Sequence, residues 1–452
     1  MKSNFLKLAN IILVFLFILG ILISVSTQWI SSSYPSWGNH ILMLSSVFSI
    51  GILAIFWLKD DTKINVCILL FFSLISLAIA DKFIIYREHS AILNLARSAE
   101  IDYDSRGILN VIKDLEINGK EPYLFPTPHR FSQYTWNRVP LKSFFPLGGK
   151  SKATTVFCNE NGAWANYKSD RYGYNNNDSV YDLESPTIIL IGDSFVHGAC
   201  VPQEKTIAGA LREKGFKAIS LGIGGQGPLL ELASLVEYGQ FLKPKAIVWF
   251  YFNQNDMIEL NIEALYPILL KYLENDFSQN LIKRQGFIDS FWRKFNEQRI
   301  FEAKVIKVKN FLTFSQVRDK LKLSVQSIKN TSTKDKAVNS NNQNILLEQV
   351  LKKAKVLTEK IGGTFYLVNL DALVSTSNKN KNPKLIYENY NKLNQLAIKL
   401  QIPIINMNLG SLDDPSKLFS LNAIGNHFNE NGYRLIVDLI IKKGWISKYN
   451  ID

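Results

Sequence analysis

A serine follows an apolar run in a setting that suits nucleophilic catalysis. Ser194 comes directly after Gly192 and Asp193, at the end of the run Thr187–Ile191. A serine hydroxyl is a weak nucleophile at neutral pH, and it needs a nearby base together with donors for the oxyanion that forms. At a strand-to-helix turn the serine N–H can face that charge. An isolated Gly-Asp-Ser is more often a helix cap, so the chemistry depends on partners elsewhere in the chain.

The candidate bases are few, because the chain has five histidines. His427 follows the last predicted strand and precedes the last predicted helix, which places it on the same edge of a sheet as Ser194. The remaining four lie near predicted membrane spans, in a proline-rich connector, or one helical turn beyond the serine: His40, His89, His129 and His197. His427 is therefore the predicted base.

Two further residues could stabilise an oxyanion beside the serine. Gly225 lies in the glycine-rich stretch 220–228 after the second predicted strand, where a backbone N–H can approach a reacting carbonyl. Asn255 follows the third strand and could aim a side-chain amide at the same point. Each is ordinary when taken alone, since glycines and Asn-Asp pairs are common in turns and caps.

In chain order, these four blocks resemble the SGNH (GDSL-type) hydrolase family. The resemblance covers roughly residues 185–445 and is interrupted by an insertion. It implies a flavodoxin-like sheet and ester or acyl chemistry. It also implies Ser194 as nucleophile, His427 as base, and the Ser194 N–H, the Gly225 N–H and the Asn255 side chain as oxyanion donors. The stretch from Cys158 through residues 172–176 looks like the lead-in of membrane-anchored bacterial members.

The chain departs from the family pattern in two places. The family usually has glycine two residues before the asparagine of the third block, and this chain has Asn253. The family usually has aspartate two or three residues before the histidine, and this chain has Gly425 and Ile424. We expect either a Ser-His dyad or a triad in which another group orients His427. The candidate orienters are a backbone carbonyl and two aspartates close in sequence, Asp413 and Asp414.

The elements around these residues predict an α/β fold. Five apolar runs alternate with helical patterns and read as strands buried on both faces, at 187–191, 217–221, 246–252, 363–370 and 402–407. Helices are predicted near 206–213, 229–242, 345–360, 384–400 and 432–443. This alternation predicts a parallel sheet with helices on both faces.

Three apolar stretches near the N-terminus predict membrane-spanning helices, at residues 8–25, 41–58 and 64–80. Lys2 and Lys7 precede the first stretch, the first loop has neither lysine nor arginine, and the second loop has Lys59 and Lys63. This pattern places the N-terminus in the cytoplasm and the large domain on the outer side of a cell (inner) membrane that the chain crosses several times. If the third stretch only lies on the membrane, the large domain stays cytoplasmic.

We therefore expect three regions: a membrane region at 1–87, a helical and irregular lead-in at 88–184, and a catalytic domain at 185–452. The domain contains a helical insertion at 258–342, whose polar end at 330–342 is expected to be mobile. An insertion after a strand borders the ligand crevice of such a sheet, where it could be a lid, a docking surface or a spacer.

Cysteine content and charge give weaker indications. Cys158 and Cys200 could pair in an oxidising compartment or remain two buried thiols, and Cys67 is expected to act as a small apolar residue in the third span. The chain carries a formal charge of +13, with a basic stretch at 283–322. A solvated helix face is the favoured reading, and lipid headgroups or an acidic glycan are alternatives. No nucleic-acid motif accompanies the basic stretch.

The sequence thus predicts a membrane-anchored serine esterase that forms an acyl-serine and acts on an O-acylated glycan or lipid. It predicts neither a metal nor an organic cofactor, since no metal-ligand cluster is visible in the sequence. The expected partners are the bilayer, the acyl ester and a further membrane protein. Two other hypotheses remain. One is an O-acyltransferase of a cell-envelope polysaccharide that uses the same Ser-His site. The other is a non-catalytic module that binds a glycan or a membrane partner.

Overall fold

The carboxyl ends of five parallel strands form the edge at which the candidate residues meet. The structure is a computed structural model that describes residues 2–31, 49–53, 55, 57–127, 144–184, 187–312, 314–320, 340–370, 383–407, 414–423 and 427–446. The strands are β4 (Thr187–Ile191), β5 (Lys217–Ser220), β6 (Ala246–Phe252), β7 (Thr364–Leu370) and β8 (Ile404–Met407). They pair in the order β5-β4-β6-β7-β8, which is the flavodoxin-like order. The prediction of a parallel sheet is confirmed.

Alternate side chains of each strand pack into separate cores because successive residues of a strand point to opposite faces. Ile189 and Ile191 of β4 pack into one core, together with residues of the helices Pro228–Ser234 and Ser340–Lys360. Ile188 and Leu190 pack into the other core, together with residues of the helices Ile207–Glu213 and Glu430–Lys442. The sheet is therefore covered by helices on both faces, as predicted.

The α-helices occur throughout the described chain. Their bounds are α1 (Lys2–Ser31), α2 (Asp60–Ser98), α3 (Ile108–Ile117), α4 (Ser194–His197), α5 (Ile207–Glu213), α6 (Pro228–Ser234), α7 (Asp256–Glu263), α8 (Pro267–Leu270), α9 (Gln285–Leu312), α10 (Ser340–Lys360), α11 (Pro383–Lys399) and α12 (Glu430–Lys442). The predicted helix at 229–242 is split: α6 continues as a π-helical segment, Leu235–Gly239, and a 3₁₀ turn, Gln240–Leu242.

The chain divides into two compact units. The first comprises Met1–Ser90 and Val305–Lys334, and the second comprises Ala91–Lys304 and Asp335–Asp452. In the first unit a small cluster is formed by Ala9, Leu13, Ile52 and Cys67, so Cys67 does pack as a small apolar residue. The second unit contains the parallel sheet.

The sequence predicts three membrane spans, whereas the described residues contain one helix that by length and composition could cross a bilayer, α2. The first predicted span, 8–25, lies within the 30-residue helix α1. The second lies largely outside the described residues. The third does not end near residue 81, because α2 continues unbroken to Ser98. Large apolar side chains of α2, including Phe71 and Phe72, are exposed.

The lead-in is more ordered than its composition indicated. The helical part of the lead-in is interrupted between α2 and α3, where Glu100 adopts a left-handed conformation at φ 55°. Three short strands follow: β1 (Pro122–Leu124), β2 (Thr154–Val156) and β3 (Asn166–Lys168). β2 pairs with β1 in parallel and with β3 antiparallel.

The insertion after β6 serves as a scaffold for this lead-in. On α9, Trp292 Nε1 donates to Gly148 O (2.8 Å), and Arg299 donates to Phe125 O (2.7 Å). Asn296 Oδ1 accepts from the Leu124 N–H at 2.9 Å. These contacts differ from those of a free-standing lid, because α9 is bonded to the backbone that precedes the site. Most of the polar end expected to be mobile, 330–339, lies outside the described residues.

Gly198 gives a test of the packing around α4. It has φ +78°, and an added Cβ would lie 2.0 Å from Thr206 Cγ2. We expect Gly198→Ala to lower the free energy of unfolding by about 2–4 kcal/mol, from left-handed strain and overpacking together. Gly362→Ala is the matched control, since Gly362 has φ +81° with nothing within 4 Å of the added Cβ. Equal shifts in the thermal unfolding midpoint of the two variants in detergent would contradict this account.

Candidate active site

Ser194 is held at a tight turn between β4 and α4. Gly192 has φ +156°, and a Cβ there would lie 2.6 Å from Val196 Cγ2, so the turn accepts only glycine without rearrangement. Asp193 caps α4, since its Oδ1 accepts from the Phe195 N–H at 3.0 Å. The cap and the glycine explain why this sequence turns here, and they leave the hydroxyl of Ser194 partly exposed at the carboxyl edge of the sheet.

The structure brings His427 to this hydroxyl from 233 residues away. Its Nε2 lies 2.9 Å from Ser194 Oγ, within the range expected of a nucleophile and its base. The backbone on both sides of His427 is anchored: its carbonyl accepts from the Ser420 N–H at 3.0 Å, and Asn429 caps α12. Phe428, which is buried, packs on Phe195 with ring centroids 4.9 Å apart.

The group that faces the other ring nitrogen of His427 is Glu160. Its carboxylate oxygens lie 3.0 and 3.1 Å from His427 Nδ1. A carboxylate only accepts hydrogen bonds, so Nδ1 carries the proton and Nε2 is left to accept from Ser194. Of the candidate orienters, Asp414 does not fill this place. Asp414 is exposed and pairs with Lys417, and Asp413 lies outside the described residues.

Burial and the neighbouring negative charges shift the pKa of His427 in opposite directions. Burial lowers the pKa of His427, but the hydrogen bond and negative charge of Glu160 raise it, and the charge of Asp193 adds to this, so the pKa lies above its ordinary value of 6.5. The imidazolium that forms when His427 takes a proton is thereby stabilised.

Asn255 reaches the site, but its amide is engaged with carboxylates. Nδ2 donates to Asp193 Oδ2 and to Glu259 Oε1, each at 3.0 Å. An amide nitrogen has two hydrogens, so neither is left for an oxyanion in this conformation. The predicted role of Asn255 as an oxyanion donor therefore does not fit the geometry. The residue instead holds the Asp193 carboxylate beside Ser194.

Two backbone N–H groups remain as candidate oxyanion donors. Among the described residues, neither the Ser194 N–H nor the Gly225 N–H donates a hydrogen bond. Gly225 has φ +79°, which turns the loop after β5 toward the serine, and a Cβ on Gly224 would lie 3.6 Å from Ser194 Cβ. Unpaired N–H groups beside a nucleophile are the feature that an oxyanion hole requires.

His197 holds this glycine loop. Its Nδ1 accepts from the Gly224 N–H at 3.0 Å, and its Nε2 lies 2.8 Å from the Tyr167 hydroxyl. The ring stacks on Phe157 with centroids 4.2 Å apart. Burial, and to a lesser degree the charge of His427, lowers the pKa of His197 to about 3, so the ring is neutral and Nδ1 stays an acceptor. His197, one helical turn beyond the serine, therefore contacts the glycine loop and Tyr167.

Buried carboxylates lie behind the catalytic edge. Burial raises the pKa of Asp193, Glu231 and Asp256, and it raises that of Glu263 to about 8. Glu263 accepts from the N–H groups of Gly227 (2.6 Å) and Leu229 (2.9 Å) at the start of α6. It thus fixes the end of the glycine loop that begins at β5.

A disulfide joins two segments of the site. Cys158 and Cys200 are bonded, with their Cα atoms 5.0 Å apart. Donor atoms of Glu160, Cys200 and His427 lie within 4.8 Å of one another. Because the sulfur of Cys200 is in the disulfide, it has no thiolate to offer a metal.

Sequence reasoning missed Glu160 because it comes 267 residues before the histidine that it faces. The one available signal was its place two residues after Cys158 in the recognised lead-in. The supporting role of His197 had no signal in the sequence, since its partner Gly224 belongs to a separate loop.

Comparison with known proteins gives weak likenesses. No family model matches the chain, and no curated protein matches it. Among solved structures it is similar to a lipase/acylhydrolase from Enterococcus faecalis, with 13% identity and a TM-score of 0.32 over 57% of this chain and 94% of that one. It is also similar to the psychrotrophic esterase EstA from Pseudoalteromonas sp. (13%, TM-score 0.30, 58% and 98%). An acetyl xylan esterase, AlAXEase, gives 12% and 0.30 over 57% and 98%. At these scores the likeness carries no argument about activity.

Because the pKa of His427 is raised, we expect a defined pH dependence of labelling at Ser194. Only the neutral imidazole can accept the serine proton, so the rate at which a fluorophosphonate labels Ser194 should rise with pH. The half-maximal rate should fall above pH 6.5, the ordinary value for histidine. Labelling that rises through a midpoint at or below 6.5 would show that Glu160 does not stabilise the imidazolium in solution.

His197 can be tested separately from the base. His197→Leu removes the acceptor of the Gly224 N–H, and we expect labelling to slow about tenfold because an oxyanion donor is displaced. The pH midpoint should stay where His427 sets it. Tyr167→Phe is the comparison, since it keeps the Gly224 contact and should slow labelling less. A shifted midpoint in His197→Leu would contradict a purely positioning role.

Proposed function

We propose that this chain is a membrane-anchored serine ester hydrolase that acts through an acyl-serine intermediate. The observation that carries the proposal is the 2.9 Å contact between Ser194 Oγ and His427 Nε2 at the carboxyl edge of the sheet. Ligands of doubly wound sheets bind at this edge, where the strand order reverses. A binding module would have no need for a hydroxyl, an imidazole and a carboxylate in line.

The proposed reaction has two halves. Ser194 Oγ attacks the ester carbonyl carbon while His427 Nε2 takes the hydroxyl proton, and the carbonyl oxygen becomes an oxyanion beside the Ser194 and Gly225 N–H groups. His427 then gives its proton to the leaving alcohol oxygen as the ester C–O bond breaks. Water then attacks the acyl carbon while His427 takes its proton, and His427 gives that proton to Ser194 Oγ as the acyl C–Oγ bond breaks and the acid leaves.

The location is proposed from two structural features. The apolar helix α2 is long enough to anchor the chain in a bilayer. The Cys158–Cys200 disulfide favours an oxidising compartment, because the cytosol keeps thiols reduced. Together they support a catalytic unit on the outer side of a cell membrane. We therefore propose O-acyl, including O-acetyl, esters of envelope glycans or lipids as the substrate class.

The experiment uses the full chain in detergent with a fluorophosphonate probe and an acetyl ester. Wild type should be labelled and should release acetate, whereas Ser194→Ala should lose labelling and at least about 10³-fold of the rate, as expected when a catalytic nucleophile is removed. Ser220→Ala is a control for serine loss elsewhere, since Ser220 ends β5 and bonds to Val196 O. Equal labelling of wild type and Ser194→Ala would contradict the proposal.

The same assay separates hydrolysis from transfer. With a glycan acceptor added, free acetate as the sole product supports hydrolysis by water. Transfer of the acetyl group to the added acceptor would instead reassign the second half of the reaction to acyl transfer. Both outcomes require the acyl-serine, so the first half is tested in either case.

A further inference from the structure

We propose that Glu160 is the third member of the catalytic group, a positioning residue for His427, and that the Cys158–Cys200 disulfide holds it in register with Ser194. The inference rests on the proposed hydrolase function. It departs from the family pattern, in which the carboxylate lies two or three residues before the histidine, whereas Glu160 lies 267 residues before His427.

The geometry of the carboxylate meets what this role requires. Both Glu160 oxygens lie within 3.1 Å of His427 Nδ1, on the opposite side of the ring from Ser194. The side chains of His427 and Glu160 are 21% and 25% exposed, so the pair is largely shielded from water. A hydrogen bond of this kind fixes both the tautomer and the orientation of the base.

Glu160 lies in a short loop closed by two backbone hydrogen bonds. The Phe157 N–H donates to Ala165 O (2.9 Å) and the Ala165 N–H donates to Cys158 O (2.8 Å). The loop is also bonded to the segment between α2 and α3, because Asn159 Nδ2 donates to Asp104 O (2.7 Å). These bonds shape the loop, but they do not connect it to the segment that carries the nucleophile.

The disulfide makes that connection. Cys200 follows Ser194 by six residues, just past the end of α4, and Cys158 precedes Glu160 by two. A second tie runs in parallel, since Asn161 Nδ2 donates to Cys200 O at 2.9 Å. The Cys158–Cys200 bond therefore links the loop of the carboxylate to the segment of the hydroxyl. Its loss would restore conformational freedom to the loop and lower the fraction of molecules in which Glu160 meets His427.

The first experiment replaces the charge alone. In Glu160→Gln, we expect fluorophosphonate labelling of Ser194 to slow at least about 100-fold, because an amide can donate to Nδ1 and stabilise the wrong tautomer. The pH midpoint of labelling should move down, since the negative charge that favours the imidazolium is gone. Glu160→Asp should keep much of the wild-type midpoint. Glu184→Gln, at an exposed position, is the charge control.

The second experiment asks whether the disulfide acts through Glu160. The double variant Cys158→Ser, Cys200→Ser should slow labelling about tenfold and lower the midpoint, with a smaller effect than Glu160→Gln because the loop keeps its other hydrogen bonds. In the Glu160→Gln background the same two substitutions should slow labelling little further. This non-additivity is the signature of a shared role.

Chemical reduction gives the same test without substitution. Wild type treated with a dithiol should behave like the serine double variant, with a chelator present so that freed thiolates, Glu160 and His427 do not capture a metal. Circular dichroism and the unfolding midpoint report whether each variant is folded.

The outcomes separate the two proposals. If wild type is not labelled at Ser194, the hydrolase proposal fails. If wild type is labelled but folded Glu160→Gln keeps the wild-type rate and midpoint, the role of Glu160 is overturned. If disulfide loss slows labelling equally in both backgrounds, the disulfide does not act through Glu160.

Discussion

The arrangement of the site depends on one imidazole held between a hydroxyl and a carboxylate. His427 contacts Ser194 through Nε2 and Glu160 through Nδ1, and these three residues come from three distant parts of the chain. Because each ring nitrogen has one partner, the tautomer and the ring orientation are determined together. Three local features each bring one member of this group into place. The turn after β4 positions Ser194, the cap of α12 positions His427, and the loop after β2 positions Glu160.

A second chain of contacts supports the oxyanion side. Arg299 of α9 bonds to Phe125 O, and the Phe125 ring lies 4.5 Å from that of Phe157. Phe157 stacks on His197, which in turn accepts from the Gly224 N–H. The helix inserted after β6 thus supports the glycine loop through the lead-in. This explains why the insertion packs as part of the core, with Ile288, Trp292 and Phe295 buried.

The local sequence pattern was enough to locate the strands and the candidate nucleophile. The predicted bounds of β4 and β6 agree with the structure, because continuous apolar runs such as Ile188–Ile191 are typical of strands that are buried on both faces. Gly192, Asp193 and Ser194 were readable because a glycine turn and an N-cap are local features. His427 was found by elimination among five histidines, since only one follows a predicted strand at the correct edge.

The amino-acid sequence by itself determined the doubly wound sheet, the candidate nucleophile and base, and the cysteines able to pair, because these follow from periodicity, turn chemistry and residue type. Only the tertiary structure decided which carboxylate faces His427 and where the Asn255 amide points. The single uninterrupted helix of Asp60–Ser98 was likewise unreadable from composition. The physical reason is that a hydrogen bond selects its partner by distance in space. Glu160 and His427 meet through folding of the lead-in onto the sheet, whereas Asp414 is close only along the chain.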